Sequence, residues 1–521
     1  MFATIYLNRH DIIYQRFYTI NHSLLLKGGI PVMKEKAYIA AIDQGTTSTR
    51  TIIFDEKLNI VNISQKPFEQ FYPQDGWVEQ DPMEIYRTAV KTLVEAVEKA
   101  GLNFYQISAI GITNQRETVV AWHKETGEPL YNAINWQCRR TTKRCEELKK
   151  HEDMIHSKTG LIVDPYFSGS KMEWLYNNVP KIRIAAQSDQ LAFGTIDSWL
   201  AYKLTRKNVH VTDVSNASRT MLFNIHDMSW DNELMDLFSI DRKWLPEIVD
   251  TSSVIGYTKE GIPVASLVGD QQGALFGQMA FEKGMAKCTY GTGAFLLMNM
   301  GSEPVLSQQR LLTTVGWKIE DEVCYAMEGS LFMCGAAIDW IVDNLKLAHN
   351  APQTEDIAYS IRDNGGVYFV PALAGLGAPN WDPNARGLFM GMTQSTRREH
   401  LVRSVLEGIC YNVRELFDIM VDESKIPLKD LRVDGGVSKN EFLQEFQSVL
   451  LGIPVTRPIN TETTATGAAI LAGLAIGIWK DKNEVAEFWE IKNRMSKSKE
   501  EKVEDYFKRW KKAVSRSKDW V

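Results

Sequence analysis

From residue 37 onward the chain alternates between short apolar runs and turns of small polar residues. Residues 37–55 read AYIAAIDQGTTSTRTIIFD, two apolar runs around an acid, a glycine and a cluster of hydroxyls. This pattern predicts a strand, a turn and a second strand, with backbone N–H groups and threonine hydroxyls able to face a polyphosphate and Asp43 placed to meet its metal ion. Gly45 keeps the turn slim enough for close backbone approach. An ordinary surface hairpin would share the pattern, but residues 286–298 echo it as AKCTYGTGAFLLM. Two such hairpins in one chain suggest a duplication with a nucleotide held between two halves.

Between the hairpins, helical and strand periods alternate, which predicts an α/β fold class. Asp81-Pro82-Met83-Glu84 offers an N-cap, a proline at the first helical position and an acid at the third, and Ile85, Ala89, Leu93, Val94 and Val97 follow at helical spacing until Gly101. Residues 107–113 (ISAIGIT) read as a buried strand running into Asn114-Gln115-Arg116-Glu117, the end at which α/β sheets commonly place ligands. A short strand at 265–269 leads into Asp270-Gln271-Gln272-Gly273 and a small-residue helix, with a domain boundary expected near residue 279. The second half repeats the plan: hairpin, helix around Gly335, strand at 367–371, long helix over 399–420, and strand 431–433 into Asp434-Gly435-Gly436. The lysine-rich tail from Lys497 predicts a solvated amphipathic helix. This gives three segments: an N-terminal extension (1–33), a first domain (34–279) and a second domain (280–521).

The 521 residues suffice for two or three domains, and 44% hydrophobic with 24% charged residues is ordinary for a soluble protein. A net charge of −6 gives no reason to expect nucleic acid or an anionic membrane. No apolar stretch approaches the ~20 residues needed to span a bilayer. The six cysteines lack CxxC spacing and read as buried or incidental thiols of a reducing compartment, not a disulfide frame or zinc site, so a cytoplasmic enzyme is expected. The first 32 residues carry no sustained period and no secretory signal. Lys27-Gly28-Gly29 requires purine-rich codons just upstream of Met33, as a bacterial ribosome-binding site would, so Met33 is the expected initiator, with a genuine extension or targeting segment as the competing reading.

Taken in order, the motifs IDQGTTSTR, GITNQRET, NAINWQCRR, DPYFSGSK, GDQQGALFGQ, TYGTGAF and RVDGG, with the longer signatures at 166–178 and 387–407, resemble the FGGY carbohydrate kinases from Met33 to the C-terminus. The resemblance implies two actin-like or ribonuclease-H-like domains flanking a cleft, and transfer of the ATP γ-phosphoryl group to glycerol, giving sn-glycerol 3-phosphate and ADP. It implies Arg116 and Glu117 as ligands of a vicinal diol, although neighbouring charges more often form a solvated ion pair. Trp136, Tyr166 and Phe295 would wall the carbon side, and Gln271 would add a hydrogen bond. Asp270 is the expected base, taking the proton of the attacking hydroxyl; capping the helix that starts at Gln271 is the alternative, and both can hold. Thr46, Thr47, Ser48 and Thr292 should line the phosphates, Asp43 should reach Mg²⁺ directly or through water, and Arg50 should lie near the transferring phosphoryl group. Gly335 and Gly436 would admit adenosine, with Asn440 near the base.

Two departures from the family pattern stand out. Asp339 replaces a common glutamine near the adenine. The segment 257–263 (YTKEGIP) is shorter than the loop with which some bacterial relatives bind fructose 1,6-bisphosphate, and insensitivity to that effector is expected. The nearest rival is a xylulose or gluconate kinase of the same family; an actin- or chaperone-like ATPase and a silent glycerol sensor are further ones. ATP and Mg²⁺ are the expected cofactors, and a homodimer or homotetramer the expected assembly.

Overall fold

The sheets of the two halves share a five-strand core and differ at their edges. The structure is a computed structural model that describes residues 37–498, 500 and 502–521; the expectation for residues 1–32 lies outside them. In the first sheet the strands run in the order Ser252–Tyr257, Pro263–Gly269, Ile107–Asn114, Tyr38–Gln44, Ser48–Asp55, Ile60–Pro67. Tyr38–Gln44 is antiparallel to its hairpin partner and parallel to Ile107–Asn114, which is in turn parallel to Pro263–Gly269. The second sheet has the order Leu312–Ile319, Glu322–Leu331, Ala294–Gly301, Met285–Tyr290, Asp430–Asp434, Val455–Pro458, Ile491–Met495. Here Met285–Tyr290 occupies the place of Tyr38–Gln44, antiparallel to its hairpin partner and parallel to Asp430–Asp434.

The expected helix after Asp81 spans Pro82–Lys99, with the Asp81 carboxylate accepting the Met83 N–H and Ile85, Ala89, Leu93 and Val97 buried. The long helix Arg398–Ser424 likewise buries an apolar stripe. The C-terminal helix Lys502–Ser517 is amphipathic, but it is not merely solvated. Val503, Phe507, Trp510 and Val514 are buried, and the Trp510 indole donates to the Phe369 carbonyl, 3.0 Å. Burial of this face outweighs the charge of its lysines, which point outward.

One helix ties the sheets together. Thr463–Ala475, from the second half, lies against the first sheet, where Ser266 and Ser252 donate to the carbonyls of Ala468 and Leu471 at 2.8 and 2.7 Å. It also crosses the helix Asp270–Gly277 at close range: a methyl group on Gly467 would stand 1.9 Å from the Gly273 carbonyl oxygen, and one on Gly277 2.0 Å from that of Thr463. Only glycine lets two helix backbones approach so far. All six cysteines are buried free thiols, as their spacing suggested.

Candidate active site

Where the strand Ile107–Asn114 ends, the backbone turns sharply, with Glu117 at φ +59°, a left-handed conformation uncommon outside glycine. Arg116 and Glu117 are 2% and 1% exposed, which rules out a solvated ion pair. A buried guanidinium needs an acceptor for every N–H. Arg116 has them: Nη1 donates to Glu328 Oε2 at 2.5 Å and Gln272 Oε1 at 3.3 Å, Nη2 to Glu328 Oε1 at 3.0 Å and the Tyr166 hydroxyl at 3.4 Å, and Nε lies 3.2 Å from Asp270 Oδ1. Glu117 sits 3.8 Å from Arg116 and takes its stronger bond from Arg219 Nε, 2.7 Å, whose Nη2 reaches Glu328 at 3.0 Å. Burial works to raise the Glu328 carboxyl, but Arg116 and Arg219 outweigh it and hold it down at about 2. Glu117, where burial wins over the same two cations, stays above the ordinary range.

Asp270 is the first residue of its helix, and Gly269 holds the cap position. The carboxylate is therefore not the helix cap; it accepts the N–H of its neighbour Gln271 at 2.7 Å. With Arg116 on its other side, it is fixed all the same. Gln271 accepts from the buried Lys287. Trp136 meets Tyr166 edge-on at 5.5 Å, and its indole N–H donates to the Thr46 hydroxyl at 3.0 Å, joining the aromatic wall to the first hairpin turn. Phe295 pairs across the second sheet with Thr289 and Ser330, and Leu297, two residues on, pairs with Lys287 and Glu328. Side chains alternate along a strand, so Phe295 shares a face with Lys287 and Glu328.

In the first turn, Gly45 N–H closes on the Ser48 carbonyl at 3.0 Å, the Thr46 hydroxyl is held by Trp136, and the Ser48 hydroxyl by Gln65 at 2.8 Å. Thr47 is the exposed member of the three. Arg50 faces Asp43 across the hairpin and ion-pairs with Glu462. Burial pushes the Asp43 carboxyl up to about 7; Arg50 opposes this, and Asp270 and Glu462 add to it.

In the second turn, Thr292 is exposed, and its carbonyl receives the N–H groups of Cys334 and Ala336 at 2.9 and 3.1 Å. Gly335 opens the helix Gly335–Asp343, and a methyl group on it would stand 2.7 Å from the Gly291 carbonyl oxygen, so its bareness serves that packing. Gly436, by contrast, faces open space. Asn440 caps the helix Glu441–Leu451, its side-chain Oδ1 accepting the Leu443 N–H at 2.9 Å while Nδ2 reaches Thr354 at 3.4 Å. Asp339 is exposed one turn along from Gly335.

Direct contacts thus bring together Arg116, Asp270, Tyr166, Trp136, Gln271 and Thr46, while Glu117 joins through Arg219 and Phe295 through its sheet face. Sequence reasoning missed Arg219, Lys287, Glu328 and Glu462. The first three had a signal: each is a lone charge inside an apolar or small-residue run (SNASRTML, MAKCTY, CYAMEGSL).

Two sheets with a common five-strand core, each opening on a hairpin with a small polar turn and meeting over a buried charge cluster, define an α/β protein of the actin-like class. The models of the FGGY family of carbohydrate kinases match residues 38–277 (N-terminal domain) and 286–476 (C-terminal domain), and the chain belongs to that family. It is 51% identical to glycerol kinase 2 of Thermotoga maritima over 491 residues, 93% of this chain and 99% of that protein. The crystal structure of Plasmodium falciparum glycerol kinase with ADP superposes with a TM-score of 0.88 at 37% identity, covering 92% of this chain and 98% of that one. A ligand-bound xylulose kinase from Lactobacillus acidophilus, 22% identical with a TM-score of 0.82 over 92% and 97% of the two chains, shares the fold.

Proposed function

We propose that this chain is an ATP-dependent glycerol kinase that makes sn-glycerol 3-phosphate. The observation that carries the reading is the convergence of Arg116, Asp270 and Tyr166, with Trp136 bridging to the Thr46 turn. A triol offers only hydroxyls and a short carbon chain, so a selective site needs polar partners on one side and an aromatic wall on the other. Arg116 and Glu117 would bind two hydroxyls, Gln271 would add a contact, and Trp136, Tyr166 and Phe295 would cover the carbons. Asp270 would take the proton of the attacking hydroxyl as the O–P bond forms. Thr46, Thr47, Ser48 and Thr292 would line the phosphates, and Arg50 would stand beside the transferring group, where a fixed positive charge stabilises the transition state.

A divalent cation suits the first turn. Asp43, opposite Arg50 on the hairpin, is the carboxylate that would meet a cation there, and the cation would draw its raised carboxyl to the ionised form. Bound there, Mg²⁺ would neutralise phosphate charge. Gly436, with open space before it, would admit adenosine, and Gly335, Asp339 and Asn440 would border it. Residues 34–279 are assigned to the glycerol and phosphate side, 280–521 to the nucleotide side, and 1–33 to an extension. Among the described residues no helix is long and apolar enough to cross a membrane; a cytoplasmic homodimer or homotetramer completes the reading. Initial rates with Mg·ATP on glycerol, xylulose and gluconate test it. The highest kcat/KM is expected for glycerol, and a higher value for either sugar substrate would overturn the assignment.

A further inference from the structure

We propose that Glu328, carried on the second sheet, is a positioning residue for the polyol: it holds Arg116 and Arg219 so that Arg116 and Glu117 meet the substrate in one fixed geometry. This rests on the reading of Arg116 and Glu117 as polyol ligands. The four side chains form an alternating ring in which Glu328 grips both Nη atoms of Arg116 and Nη2 of Arg219, while Nε of Arg219 holds Glu117. Every member is at most 2% exposed. A guanidinium held at its forked end by one carboxylate cannot swing. The edge left over, Nε, is the one that faces Asp270 at 3.2 Å, and the longest bond of Nη2, 3.4 Å to Tyr166, is the one a substrate hydroxyl can replace at least cost. On the acid, Oε1 is taken by Arg219, which leaves Oε2 of Glu117 to accept from a hydroxyl.

The ring also crosses between sheets. Arg116 and Glu117 follow a strand of the first sheet, whereas Glu328 belongs to the strand Glu322–Leu331 of the second. Glu328 therefore ties the diol ligands to the second sheet, which couples polyol binding to the half of the chain that carries the second hairpin turn.

The test is Glu328→Gln, which keeps shape and one acceptor but removes the charge. KM for glycerol, affinity for ADP by calorimetry, and thermal unfolding are measured together. KM for the polyol is expected to rise about tenfold or more while ADP affinity stays within about twofold, since a positioning residue weakens one ligand and leaves the other. Glu328→Asp, one methylene shorter and still charged, should give a smaller rise, and it carries the test if the glutamine variant does not fold. In Glu328→Gln/Arg219→Gln the losses should fall short of additive, because both residues act through one ring. A polyol KM that changes no more than ADP affinity, in whichever variant is folded, would overturn the proposal. The unaltered enzyme separates this from a failed substrate reading: if it prefers another polyol, the same comparison is read on that polyol.

Discussion

Asp270 is held on two sides, by the Gln271 N–H and by Arg116, yet its side chain keeps 30% of its surface open. A carboxylate both fixed and reachable is what proton abstraction needs. Asp270→Asn removes the basic oxygen and keeps the shape, so kcat is expected to fall by about three orders of magnitude or more while calorimetry still detects glycerol. Other acids are buried without such access. Asp197 accepts from the hydroxyls of Thr195 and Thr212 at 2.5 and 2.7 Å, and burial, reinforced by Asp213, pushes its carboxyl from 3.8 up to about 7. The folded state then binds the extra proton between those values, so the stability tied to Asp197 is present at low pH and lost as pH rises through about 7. Asp197→Asn should raise Tm by about 2–4 °C near pH 8, the shift of roughly 1 kcal/mol in a large domain, and leave it unchanged near pH 4. At this scale the motif residues were legible, because a strand end followed by a polar run marks a site. The pairing with their buried counter-charges was not: Glu328 stands out as a lone charge in an apolar run, but it lies 212 positions from Arg116, and no local pattern encodes that contact.

Hairpins and helices followed from local chemistry. The two small-hydroxyl turns, the Asp81-Pro82 start and the apolar stripe of the long helix each carried their own signal, and each element forms within a few residues of its expected place. The helix Thr463–Ala475 was harder to foresee. It is nearly all apolar and small, and what it serves, contact with the first sheet and with Asp270–Gly277, is tertiary. Its glycine contact makes a sharp expectation: Gly467→Ala forces the Gly273 backbone away and should cost about 3 kcal/mol or more, read as a lowered denaturation midpoint. Gly436→Ala is the contrast. Open space surrounds it, so stability should hold, while KM for ATP rises about tenfold if adenosine passes there.

Across the whole molecule, a common strand order recurs in two sheets, each with a small polar hairpin turn, and one charge ring joins the end of a strand in the first sheet to a strand of the second. The repeat was visible in the sequence as an echo of motifs; the distance over which the ring closes was not. On the outer edge of the first sheet, residues 258–261 make a tight turn, with Thr258 N–H bonded to Ile262 and Gly261 N–H to Thr258. Those donors are spent within the turn, so fructose 1,6-bisphosphate at millimolar levels should leave the rate unchanged; inhibition would contradict this. The most direct measurement is coupled ADP release from Mg·ATP with and without glycerol, run on the unaltered chain and on Asp270→Asn with the phosphorylated product assayed. Glycerol-dependent ADP release matched mole for mole by glycerol phosphate, and nearly abolished in the variant, is the expected result. ADP release indifferent to glycerol, or a variant as fast as the parent, would contradict a kinase that deprotonates a triol with one carboxylate.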